Sequence, residues 1–133
     1  MSSKQAVKTS KVLNGLPNVL NQAIIAGGTV YCSGQVATSV ETGKLVEGTV
    51  GDRTKQCLRN LQLVLEAAGS SIDNVVKVNV FLDDMANFAA MNEVYQTWFG
   101  EVKPCRTCVA VKQLPMGTDV EIECIATLGR AKL

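Results

Sequence analysis

Apolar residues recur along this chain in two rhythms, every second position in some stretches and every third or fourth in others. The first marks strands half-buried on one face, the second amphipathic helices. Leu20 to Ala26 is apolar and closes on Gly27-Gly28, and Thr29-Val-Tyr-Cys-Ser33 is β-rich and ends at Gly34. Two such runs around a glycine pair predict an early hairpin. Gln5 to Lys8 predicts a short edge strand, and Glu41-Thr-Gly-Lys44 a further turn. Val75 to Leu82 predicts a strand with Val76, Val78, Val80 and Leu82 on one face. Lys77 and Asn79 fall on its other face, which implies partial exposure or a polar pocket. Lys103 to Ala126 reads as two strands joined by a Pro/Gly loop.

The helical rhythm appears twice. Thr54, Leu58, Leu61, Leu65 and Ala68 share one helix face. Thr49 stands three residues before Asp52 in a capping-box pattern, and Gly69 is a fitting C-terminal stop. A second helix is predicted from Met85 to Phe99, capped by Asp83-Asp84 and ended by Gly100. Its apolar stripe is Phe88, Met91, Tyr95 and Trp98 or Phe99. Strands, helix, strand, helix, strand, strand is the order of an α+β domain: two layers, a mixed β-sheet with two helices on one face. Residues 1–133 form one expected domain. The other sheet face must then be covered, and burial against further copies of the chain is the economical solution.

Composition narrows the function. At 47% hydrophobic, the 133 residues carry enough apolar mass for a packed core. A net charge of +1 and few aromatics argue against nucleic acid as a partner. No apolar run reaches the roughly 20 residues that span a bilayer. Histidine is absent, which excludes Ser-His and Cys-His catalytic pairs and His-containing metal sites. The five cysteines are an odd number set mostly in apolar patterns, as expected of reduced, buried thiols in the cytoplasm or a similar compartment. The first 40 residues lack Asp and Glu and carry Lys4, Lys8 and Lys11, a faint resemblance to a mitochondrial targeting peptide. A solvated N-terminal arm is the plainer reading.

The candidate chemistry centres on Arg106, Glu121 and Glu123. A guanidinium on a strand suits bidentate capture of a carboxylate, and a nearby glutamate suits proton transfer to or from water. A structural salt bridge between Arg106 and one of the glutamates is the competing reading. Cys105 and Cys108 have C-x-x-C spacing but lie in a strand, pointing to opposite faces, with no further ligands to complete a zinc site. Buried structural thiols are the stronger reading, with Cys108 lining a site. Asn92 interrupts the apolar side of the second helix, as a solvated position or as a polar group meeting a neighbouring subunit.

These segments together resemble the RidA/YjgF family of reactive intermediate deaminases, also called the endoribonuclease L-PSP family. The resemblance rests on Tyr31-Cys-Ser-Gly-Gln35, Leu65-Glu-Ala-Ala-Gly69, Val75 to Leu82, Asn92-Glu-Val-Tyr95, Pro104 to Val109 and Val120-Glu-Ile-Glu-Cys-Ile-Ala126. It covers almost the whole chain, and the later stretches look most like fungal members. It implies a chorismate-mutase-like fold, a homotrimer and sites in clefts between subunits. It also implies hydrolysis of 2-aminoacrylate and related enamines or imines to 2-keto acids and ammonia, with no cofactor. By the resemblance, Arg106 binds the substrate carboxylate and Glu121 handles the proton. Ser33, Gly34, Phe88, Asn92 and Cys108 complete the substrate-binding set. One departure stands out: the family's N-terminal site tyrosine falls on Leu20, which cannot donate a hydrogen bond. That departure keeps open a non-catalytic ligand-binding or protein-interaction trimer. Ribonuclease activity, suggested by the older family name, fits a near-neutral chain without histidine least well. The N-terminus is barely longer than in compact members, so no long cleaved transit peptide is expected, and the mitochondrial matrix is the second compartment after the cytoplasm.

Overall fold

Gly27 and Gly28 take φ of 57° and 77°, left-handed values that glycine adopts without strain, and they reverse the chain into the predicted hairpin. The computed structural model describes residues 3–129. Its elements are β1 (Gln5–Val7), β2 (Ala23–Ala26), β3 (Thr29–Gln35), α1 (Val50–Ala67), β4 (Val75–Leu82), α2 (Phe88–Tyr95), β5 (Cys105–Ala110) and β6 (Val120–Thr127). The six strands form one sheet in the order β1-β2-β3-β6-β4-β5. Only β4 and β5 run parallel, so the sheet is mixed, as expected. The strands of the C-terminal segment are not neighbours: β4 lies between β5 and β6. α2 makes the crossover from β4 to parallel β5, which a tight loop cannot make.

The first helix forms as its sequence predicts. The Thr49 hydroxyl accepts from the Asp52 amide at 3.2 Å, and the Asp52 carboxylate accepts from the Thr49 amide at 2.9 Å. At the other end Ser70 N–H reaches Leu65 C=O and Gly69 N–H reaches Glu66 C=O, closing a Schellman motif around Gly69 at φ 85°. Thr54, Leu58, Leu61 and Leu65 are buried against the sheet with Val30, Val78, Val80, Ile122 and Ala126. The Thr54 hydroxyl is satisfied by the Val50 carbonyl one turn back, which lets it sit in the core.

Two expectations change. The second helix is shorter than Met85 to Phe99. A 3₁₀ turn at Met85–Asn87 precedes α2, and Trp98 and Phe99 follow its end. Phe99 still packs against Tyr95, with tilted rings 4.9 Å apart, so Met91, Tyr95 and Phe99 are buried as predicted, whereas Phe88 at the start of α2 is exposed. In β4 a register irregularity between Val75 and Lys77 turns Val76 outward, 46% exposed, and buries Val75 instead. The alternation is regular only from Val78 onward. The predicted tail after Gly129 lies outside the described residues.

The face of the sheet away from the helices carries Ile24, Tyr31, Asn79, Phe81, Glu121, Glu123 and Ile125, none of them fully buried. Tyr31 is 48% exposed. This face mixes apolar and polar side chains, and among the described residues no helix or second sheet layer covers it.

Candidate functional site

Arg106 is paired in register with Val78, a core residue, so its side chain leaves β5 on the helix side. There α2 receives it. Nη1 donates to Asn92 Oδ1 at 2.6 Å and lies 3.9 Å from Met91 Sδ. The guanidinium carbon sits 4.7 Å from the Tyr95 ring centroid and 5.6 Å from that of Phe88. Such cation–π contacts are worth about 0.5–2 kcal/mol depending on exposure. These partners are neutral, so they orient the fork and leave its charge uncancelled. The salt-bridge reading of Arg106 therefore fails within the chain: both glutamates lie on the opposite face of the sheet. The bidentate ion pair that does form joins Arg53 to Asp119 at 2.7 and 2.8 Å and anchors the loop before β6 to the start of α1.

Cys108 leaves β5 on the same side as Arg106, two residues on. Burial pushes its thiol above the ordinary value, against the opposing pull of Arg106. A thiol held protonated is a poor nucleophile, so Cys108 suits a lining role. Cys105 points the other way and is exposed, with Sγ 3.2 Å from the Val76 carbonyl. The expectation of buried thiols thus holds for Cys32, Cys57 and Cys124 and fails for Cys105, because β5 is an edge strand. All five cysteines are free. Among the described residues, no three His, Cys, Asp or Glu side chains converge as a metal site.

Glu121 is paired with Phe81 and leaves β6 on the open face. It packs over Gly34, where a Cβ would run into its carboxylate and push that side chain aside, so glycine leaves Glu121 room in this position. An irregularity in β3 between Cys32 and Gln35 makes that approach. Burial, with a smaller contribution from Glu123, raises the Glu121 pKa above its ordinary value of 4.5. Glu123 is engaged elsewhere, accepting from Asn79 Nδ2 at 3.0 Å. Ser33 lies beside this group, but its hydroxyl donates to the Asn21 carbonyl at 2.6 Å. Oγ therefore keeps only acceptor capacity toward a ligand.

A cavity of about 390 Å³ opens beside Glu121, with Ser33, Gly34, Leu16, Leu20 and Met116 among its walls. The structure thus gathers Ser33, Gly34 and Glu121 in one place and Phe88, Asn92, Arg106 and Cys108 in another, on opposite faces of the sheet. Two further residues lie beside these groups. The sequence pattern places Tyr95 only in the core stripe, yet it lies one helical turn from Asn92, shares its face and contacts Arg106. Met116, in the Pro/Gly loop, lines the cavity and holds a φ of 59°.

The endoribonuclease L-PSP family model matches residues 16–128. Protein mmf1, mitochondrial, of Schizosaccharomyces pombe is 53% identical over 129 residues, covering 95% of this chain and 77% of that protein. The 2-iminobutanoate/2-iminopropanoate deaminase of Rattus norvegicus is 39% identical over 126 residues, covering 95% of this chain and 91% of that one. The crystal structure of yeast Mmf1 superposes with a TM-score of 0.87 at 39% identity, covering 93% of this chain and 98% of that one. A match spanning nearly all the strands and both helices, at these identities, means that the chain belongs to the RidA/YjgF, or endoribonuclease L-PSP, family.

Proposed function

We propose that this protein is a cofactor-independent deaminase that hydrolyses 2-imino acids, including the 2-iminopropanoate formed from 2-aminoacrylate, to 2-keto acids and ammonia. The observation that carries this reading is an arginine fork held by neutral partners, together with a carboxylate whose proton affinity is raised. The first is a receptor for a substrate carboxylate and the second a base for water. The similarity to the rat deaminase supports the same chemistry.

Arg106 and Glu121 face opposite sides of one sheet, so a single chain does not assemble the site. A second copy resolves this if its β5 edge, with Arg106, Cys108, Asn92 and Phe88, docks on the open face that carries Glu121, Ser33 and Gly34. Repetition of that contact around a three-fold axis gives a homotrimer of chorismate-mutase-like domains, each spanning residues 1–133, with three shared sites. The half-buried apolar side chains of the open face, Ile24, Phe81 and Ile125, would then be covered.

In the assembled site Arg106 holds the substrate carboxylate and, through it, draws electron density from the conjugated C=N bond. Glu121 takes a proton from water as the oxygen adds to the imine carbon. Glu121 returns that proton to the nitrogen to give the carbinolamine, then relays the hydroxyl proton to nitrogen as the C–N bond breaks, so that ammonia leaves, the carbonyl forms and the carboxylate is restored. Imines already hydrolyse in water, so orientation and charge placement supply a sufficient rate gain. The compartment is the cytoplasm or the mitochondrial matrix; the mitochondrial fungal relative supports the latter.

The apolar Leu20 at the cavity wall favours one second reading, a trimer that binds a small acid or a protein without turnover. Release of keto acid and ammonia from 2-aminoacrylate generated in situ separates the two. Acceleration by the wild type that is lost in Arg106→Ala is the expected result. Background rates for both proteins would leave the binding reading.

A further inference from the structure

The cavity beside Glu121 has an uneven chemistry. Leu13, Leu16, Leu20, Val36 and Met116 supply apolar wall, and Glu121 is the ionisable group among them. Among the other polar side chains at the cavity, Gln22, Asn14 and Ser33 are engaged in holding the chain. Gln22 bonds the Thr9 amide and the Thr9 and Val12 carbonyls at 2.7–3.1 Å. Asn14 accepts from the Leu16 amide at 2.9 Å and donates to the Leu20 carbonyl at 3.0 Å. Ser33 donates to Asn21. The loop that presents Leu13, Leu16 and Leu20 is therefore closed on itself and tied to β2. The loop that presents Met116 is tied to α1 through Arg53 and Asp119. Yet Leu16 and Met116 are 55% and 58% exposed. Apolar side chains held on fixed loops around a carboxylate form a receptor for an apolar group bonded close to the reacting atom.

We propose that this cavity is the side-chain subsite of the enzyme. It selects 2-imino acids with branched or extended apolar side chains, such as 2-imino-4-methylpentanoate, over 2-iminopropanoate. The inference rests on the deaminase reading above and specifies its substrate class. On that reading the imine carbon reacts beside Glu121, whose carboxylate shares the cavity with the leucines, so the substituent on that carbon is the group brought to the leucine wall. A methyl group leaves most of that wall in water, whereas an isobutyl group covers it. One methylene in an apolar pocket changes kcat/KM by about tenfold or more, and a volume of about 390 Å³ accommodates the larger group.

The test generates both imines in situ from leucine and alanine with an L-amino acid oxidase and measures their enzyme-dependent decay. Calorimetry of the products, 4-methyl-2-oxopentanoate and pyruvate, provides a second readout. The wild type is expected to favour the larger imine by at least about tenfold in kcat/KM and to bind its keto acid more tightly. Leu20→Ser and Met116→Ser, both at exposed positions, are expected to cut the ratio several-fold. Acceleration of both imines with a ratio near one, or in favour of the smaller, overturns the subsite and leaves the deaminase standing. No acceleration with tighter binding of the larger keto acid overturns the deaminase and keeps the subsite. No acceleration and equal binding overturns both.

Discussion

Arg106 and Glu121 stand on strands separated only by β4, yet they are held in contrasting ways. Arg106 lies on the helix side at the sheet edge, braced by an amide oxygen and two aromatic rings. Glu121 lies on the open side, beside an apolar cavity, over a glycine that leaves room for it. The cation is positioned by contacts that spare its charge, while the carboxylate is destabilised by burial that its own chain does not offset. Under the proposed function each half lacks what the other offers: one would supply an anchor without a reacting group, the other a base without an anchor. That complementarity is what the proposed shared site between copies rests on.

The largest expected effect tests this division directly. Arg106→Ala and Glu121→Gln should each lose about 10²- to 10⁴-fold in kcat/KM, from the lost carboxylate clamp and the lost base respectively. If the halves come from different copies, the two inactive variants co-refolded in equal amounts should recover about one quarter of wild-type activity, since a quarter of randomly mixed interfaces carry both intact groups. Recovery near zero would mean that both groups act from the same chain, and the division between the two faces would be wrong.

The second test concerns the carboxylate half. The base must be ionised, so activity should fall as pH drops through the Glu121 pKa. Because burial raises that pKa, the acid limb of kcat/KM should lie above 4.5 and vanish in Glu121→Gln. A limb at or below 4.5 would show that the facing arginine outweighs burial. Stability carries the same signature. A carboxyl whose folded pKa exceeds its unfolded value contributes stability below the unfolded value and loses it as pH rises through the folded one. Glu121→Gln should therefore melt higher than wild type at neutral pH, with the gap closing as pH falls through the carboxylate range. A gap that is independent of pH would detach it from this ionisation.

The smallest effect concerns the arginine half. The Tyr95 hydroxyl is buried without a hydrogen-bond partner among the described residues, and burial pushes its pKa up to about 12. Tyr95→Phe should retain the ring beneath Arg106, preserve activity, and stabilise the fold by about 1 kcal/mol in urea unfolding. Tyr95→Leu should lose the ring and raise KM. Equal KM values in the two variants would show that the ring does not position the guanidinium.

Local chemistry was legible in advance because it is written in short-range patterns. The Thr49–Asp52 box, the Gly69 stop and the Gly27-Gly28 reversal depend on residues within a few positions of one another. Boundaries that depend on distant partners were not legible. The outward turn of Val76 follows from its pairing with β6, and the early end of α2 leaves Phe99 to be buried by stacking on Tyr95 rather than by helix.

The sequence by itself determined the element types, the layer architecture and the residue types able to handle a carboxylate and a proton, since periodicity and side-chain chemistry are local properties. Whether Arg106 meets a glutamate was decided only in three dimensions. Strand order placed β4 between β5 and β6, and pairing register sent the two side chains to opposite faces. Register sums hydrogen bonds along whole strands, and a shift of one residue would have reversed the answer.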